Sequence, residues 1–93
     1  MIKNKEPEKL LKRHRALVHS EHMRVSSHVQ RPYDDWVLNT LMIEGYQVPF
    51  QYKRKQQYKS LKNHFVNLTY YAETKNIAGL EMEVMNVVRV KIA

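Results

Sequence analysis

The end of the chain constrains the fold most. From Gly79 to Ile92, Leu80, Met82, Val84, Val88, Val90 and Ile92 fall on one side, and Glu81, Glu83, Arg89 and Lys91 on the other. A period of two marks a half-buried strand and excludes a helix, whose faces repeat every three to four residues. The alternation slips once: Asn86 lands on the apolar side while Met85 and Val87 do not. A bulge or bend near residues 85–87 would absorb that slip.

Residues 65–71, Phe-Val-Asn-Leu-Thr-Tyr-Tyr, alternate in the same way, with Val66, Leu68 and Tyr70 on one face. Pairing Tyr70 with Leu80, Leu68 with Met82 and Val66 with Val84 keeps the apolar faces together. That register predicts a three-residue turn at Thr74-Lys75-Asn76, with Asn76 in the left-handed position and the Tyr71 ring over Gly79.

Residues 33–44 admit two readings. As a helix, Pro32 would start it, Asp34 and Asp35 would occupy its first turn, and Gly45 would stop it. As a strand, it can turn at Glu44-Gly45 into the alternating stretch Tyr46, Val48, Phe50, Tyr52. Ile43 would then pair with Tyr46, Leu41 with Val48 and Val37 with Tyr52, all on one side, with only Asn39 opposite Phe50 out of character. The register agreement favours the hairpin. Pro49 cannot donate to a ladder, so its strand should be an edge or carry a bulge there.

Toward the N-terminus the pattern changes. Leu10, Leu11, His14, Leu17 and Val18 recur at helical spacing after Pro7, between Glu6 and Glu8, which predicts an amphipathic helix over residues 7–22. Residues 23–31 hold no sustained period, and Arg31 precedes Pro32, so they read as a connector. The expected fold class is α+β. The N-terminal amphipathic helix would pack on a small, strongly bent antiparallel β-sheet, as a partly open barrel comparable in architecture with SH3-like and OB-like barrels. A single domain would span 1–93, with a basic helical segment and connector over 1–31 and a mainly β core over 32–93.

Composition narrows function by exclusion. The chain has no cysteine, which removes disulfides, iron–sulfur clusters and thiolate zinc sites. No apolar run has the length of a secretory signal or a membrane span, so a cytoplasmic protein with no membrane partner is expected. Two glycines leave little room for a phosphate-binding loop, and no Ser-His-Asp set is apparent, so an enzyme is not expected. His19 and His22 are spaced for adjacent helical turns, but Glu21 is the only nearby acid and there is no His-Glu-x-x-His. The reading is therefore no metal and no cofactor. Asp34 and Asp35 would point apart in a helix or a strand, which suits a turn better than acid–base catalysis.

Charge is the remaining signal. The net charge is +7, and it is unevenly spread. Residues 1–31 carry eight cations against three acids, residues 32–52 carry three acids and no cation, and residues 53–62 carry five cations and no acid. The last block, Lys53, Arg54, Lys55, Lys59 and Lys62, is bracketed by Tyr52, Tyr58 and Phe65. Cations neutralise phosphates and rings stack on bases, at about 1–3 kcal/mol per base, so the pattern suits single-stranded nucleic acid or RNA. The competing explanation is a solvated crossover anchored by Tyr58 and Leu61. The expected function is a small basic nucleic-acid-binding module. Its candidate residues are Tyr52, Lys53, Arg54, Lys55, Tyr58, Lys59 and Lys62, with Lys9, Lys12 and Arg13 as a second basic face. The alternative is a protein–protein module or homodimer built on Trp36, Met42 and Phe65, which fall off the core faces.

Overall fold

A computed structural model describes residues 17–93. The described residues form five strands: β1 (Val18–Tyr33), β2 (Trp36–Ile43), β3 (Phe50–Arg54), β4 (Phe65–Ile77) and β5 (Leu80–Ile92). They close into a barrel in the order β1-β2-β3-β5-β4, with β1 and β4 completing the circle. All neighbours are antiparallel except β3 and β5, which run parallel. Met23, Val25, Leu41, Ile43, Phe50, Val66, Leu68, Tyr70 and Val87 form the core.

The small-barrel expectation stands, but the α+β class does not. Among the described residues there is no helix, and the barrel is closed rather than partly open. The helix expected over 7–22 lies partly outside the described residues. Its remainder, from Val18 to His22, is the start of β1. The connector expected over 23–31 is the second half of the same strand.

Two irregularities explain why the strand pattern is hidden. The β1–β4 register shifts between Ser20 and Met23, and the β1–β2 register shifts between Val25 and Ser27. Each extra residue moves the following side chains to the other face, so no period survives along β1. The first shift carries His22 at φ 58°, and its freed amide donates to Asn67 Oδ1 at 2.9 Å. These bulges also bend β1, so that it pairs with β4 over its first half and with β2 over its second.

Both expected hairpins form, each in a different register. Leu41 faces Phe50, Asn39 faces Tyr52 and Val37 faces Arg54, two residues further along than the tight turn would place them. A shift of two preserves the faces. Its cause is Pro49: without an N–H it cannot join the ladder, so β3 starts at Phe50 and residues 44–49 form the loop. The Pro49 carbonyl still accepts from the Met85 amide at 2.9 Å.

In the β4–β5 hairpin the turn is Ala78-Gly79, not Thr74-Lys75-Asn76, and Ile77 pairs with Leu80. Tyr70 faces Val87, Leu68 faces Val90 and Val66 faces Ile92. Both turn residues have positive φ, 52° at Ala78 and 85° at Gly79, the mirror-image geometry whose twist suits a tight hairpin. Asn76 contributes through its side chain, Oδ1 accepting from the Gly79 amide at 3.1 Å. The later turn extends both strands to 13 residues. The register slips between Thr69 and Tyr70, which leaves Val88 as the extra residue, one position beyond the expected 85–87. The β1–β2 hairpin, absent from the sequence reading, turns at Asp34-Asp35 with Asp34 at φ 55°.

Ala78 pays a steric penalty in the left-handed region that asparagine largely avoids. Ala78→Asn should therefore raise stability by about 0.5–1 kcal/mol, read as a higher urea midpoint with unchanged slope.

Candidate functional site

The parallel ladder between β3 and β5 covers only Phe50 with Met85 and Gln51 with Asn86. Beyond it, β3 continues to Arg54 and β5 continues past the Val88 bulge without further pairing between them. A cleft of about 400 Å³ opens at this seam. Lys53 and Arg54 line it from β3, Lys75 from β4 and Arg89 from β5. Glu73 is the one acid of the lining, and its Oε1 accepts from Asn86 Nδ2 at 2.9 Å. Lys75 Nζ reaches Gln51 Oε1 at 3.5 Å. Among the described residues Arg24 forms an ion pair with Glu44 at 3.5 Å, and His19 hydrogen-bonds Glu21 at 3.2 Å. Neither involves a cleft cation. Glu81 and Glu83 pair with Asn76 and Thr74 toward the far end of the hairpin.

A second recess of about 210 Å³ lies on the other side of the seam, with Tyr52, Arg54 and Val90 common to both cavities. Tyr58 and Lys59 reach it from the loop between β3 and β4, and Lys91 from β5. The two cavities bring Lys53, Arg54, Lys59, Lys75, Arg89 and Lys91 along one seam.

The 55–64 loop is held in place by β1. Leu61 donates its amide to His28 Nδ1 at 2.8 Å, which leaves Nε2 as the protonated nitrogen of the neutral ring. Nε2 then donates to Asn39 Oδ1 at 2.8 Å, and Asn39 Nδ2 donates to the Val37 carbonyl at 3.2 Å. This network satisfies Asn39, the one buried polar side chain in the described barrel. Gln30 grips the backbone of Tyr58 twice, donating from Nε2 to its carbonyl at 2.7 Å and accepting from its amide at 3.2 Å. Asn63 donates to the Val25 carbonyl at 2.8 Å, and Val25 donates to the His64 carbonyl at 2.9 Å.

The structure separates the residues singled out in the sequence. Lys53, Arg54 and Tyr52 meet at the cleft, and Tyr58 and Lys59 border the recess. Lys55 lies over the Trp36 ring at 4.2 Å, away from both cavities. Lys62 lines neither, and its amide donates to Ser60 Oγ at 3.1 Å. Lys9, Lys12 and Arg13 lie outside the described residues. Tyr52 is a wall rather than a free platform: it is half-buried, with the Arg54 guanidinium 5.3 Å from its ring centroid. Burial pushes its phenol above the usual 10.0, and Arg54 pulls it partway back. Sequence reading missed Lys75, Arg89 and Lys91, because the charges of residues 63–93 cancel when summed along the chain.

Trp36, Met42 and Phe65 do not form one surface patch of bare apolar groups. Lys55 covers Trp36, Met42 is half-buried, and the His22 ring stacks on Phe65 with centroids 4.4 Å apart and planes 18° apart. His19 is engaged by Thr69 Oγ1 at 2.9 Å and Glu21 Oε2 at 3.2 Å. Among the described residues no group of three His, Asp or Glu is placed to hold a metal. No helix among them is long and apolar enough to cross a membrane.

Comparison with known proteins gives no match to a protein-family model, a curated protein or a solved structure.

Asn39→Ala leaves the His28 Nε2 donor without its partner, at a cost of about 1–3 kcal/mol. The urea midpoint should fall, and hydrogen exchange at the Leu61 amide should quicken because His28 is no longer fixed. Tyr52 gives an alkaline signature. Its folded value lies above its unfolded one, so the stability it contributes is complete below about pH 10 and is lost as pH rises through the folded value. Tyr70, raised by burial with a smaller opposing effect from the Ser20 hydrogen bond, acts in the same direction. Urea titrations between about pH 9 and 11 should therefore show falling stability, less steeply in Tyr52→Phe.

Proposed function

We propose that the chain is a nucleic-acid-binding module, taking RNA or single strands along the seam between β3 and β5. One observation carries the reading: cations far apart in sequence, Lys53 and Arg54, Lys75 and Arg89, line a single cleft whose only acid is engaged by Asn86. Like charges gathered on one surface repel one another, and a polyanion relieves that repulsion while releasing its own counterions. The second recess, which shares Tyr52, Arg54 and Val90 with the cleft, adds Lys59 and Lys91 beside the exposed ring of Tyr58. Five-stranded barrels of the OB type use one face for oligonucleotides, which supports the reading as an analogy of architecture only. The proposed role is binding without catalysis or a cofactor, in the cytoplasm.

A protein partner, or a second copy of the chain, remains the alternative for a different surface. Ile77, Leu80 and Met82 share one face of the β4–β5 hairpin and are exposed, Leu80 to 68%. Exposed apolar side chains so grouped mark partner surfaces. A molar mass in solution tests it, with Leu80→Lys abolishing any dimer that buries this face.

For the cleft, four neutralised phosphates on a single strand give a slope of log affinity against log salt of about −3, or roughly a 50-fold loss between 50 and 200 mM salt. Lys53→Glu with Arg54→Glu, and separately Lys75→Glu with Arg89→Glu, should each weaken binding and flatten that slope. If both double variants bind as the parent does, the cleft is not the site.

A further inference from the structure

Lys53 belongs to the cleft, yet its ammonium group lies 4.7 Å from the centroid of the Tyr33 ring. Tyr33 pairs with Trp36 beside the Asp34-Asp35 turn, and the two are 49% and 40% exposed. On β2 the buried side chains are Asn39, Leu41 and Ile43, so Trp36 and Leu38 belong to the opposite, outer face. On β3 the buried Phe50 places Lys53 on that same outer face, opposite Leu38, and Leu38 itself lines the cleft. The cleft and the two rings are therefore one continuous surface, joined through Lys53 and Leu38.

The way these rings are covered is informative. The buried rings of Phe50 and Tyr70 meet edge to face, with centroids 4.9 Å apart. Tyr33 and Trp36 are instead covered by the tips of Lys53 and Lys55, flexible and strongly hydrated groups. An exposed ammonium–ring contact is weaker than the stacking of a nucleic-acid base on the same ring. A base can thus displace the ammonium, which is then free to meet a flanking phosphate.

We propose that Tyr33 and Trp36 form a base-stacking subsite for single-stranded nucleic acid, with Lys53 and Lys55 moving from the ring faces to the phosphates on either side of the stacked bases. The inference rests on the nucleic-acid reading of the cleft and adds a discrimination: a duplex keeps its base faces stacked on each other and has none to offer.

Trp36 is the only tryptophan, so its emission reports on the subsite directly. The probes are a single-stranded oligo-uridine of about 12 nucleotides, within the site sizes of single barrels, and an RNA duplex of the same length. Saturation with the single strand should change Trp36 emission strongly, and saturation with the duplex should not. Trp36→Leu should lower single-strand affinity roughly 5- to 150-fold while keeping the salt slope, since no charge is removed. Trp36→Phe should restore most of the affinity, which excludes misfolding as the cause. Salt-dependent binding with unchanged Trp36 emission, or with equal affinity in Trp36→Leu, overturns the subsite and leaves the cleft reading intact. Emission that shifts with protein concentration alone, and not with the single strand, assigns Trp36 to self-association and also overturns it. Absence of any oligonucleotide binding at low salt overturns the cleft reading, and the subsite with it.

Discussion

Closure of the barrel rests on Phe50. Its ring is fully buried, meets Tyr46 at 5.3 Å and Tyr70 at 4.9 Å, and sits where β3 first joins β5. A ladder of two residue pairs contributes few hydrogen bonds, so the apolar surface buried around Phe50 must supply most of what holds this seam. Pro49 fixes its position. By ending the preceding loop it sets which residue begins β3, and by offering its carbonyl to Met85 it sets where β3 meets β5.

The other end of β3 is organised by polar groups. Asn39 is buried opposite Tyr52, where an apolar residue would extend the core. Its use is to fix His28, whose other nitrogen receives the Leu61 amide and so fastens the loop across the barrel. A buried amide is tolerable when its hydrogen bonds are made, and here they give a long loop a defined path. Tyr58 and Lys59 reach the recess because Gln30 and His28 place them there.

How much was legible in the sequence follows from where the periodicity survives. β4 and β5 are visible because a single bulge, at Val88 on β5, is the one irregularity in their ladder. β1 is not, because two shifts in register within one strand erase a period of two and leave a helix-like scatter of apolar residues. The chain does turn at Glu44-Gly45, with the Tyr46 amide donating to the Ile43 carbonyl at 3.0 Å, but Pro49 delays the ladder so that Leu41 pairs with Phe50. The turn expected at Thr74-Lys75-Asn76 falls instead at Ala78-Gly79. The site was half legible: a run such as Lys53-Arg54-Lys55 is conspicuous, whereas single cations on β4 and β5 join it only through the closure of the barrel.

That closure also explains why the cations sit where they do. A seam of two residue pairs is the weakest join in this barrel, and its cleft gathers four mutually repelling cations against the single acid Glu73. If stability alone had shaped the seam, acids from β5 would be expected opposite Lys53. β5 instead keeps Glu81 and Glu83 toward the hairpin tip and presents Arg89 to the cleft. The Val88 bulge in the β4–β5 ladder lies just beyond the last β3–β5 pair, Gln51 with Asn86. On the proposed nucleic-acid reading, the repulsion among these cations is what a bound polyanion relieves. A polyanion laid along the seam would add to the stability of the fold in proportion to the logarithm of its concentration over its dissociation constant.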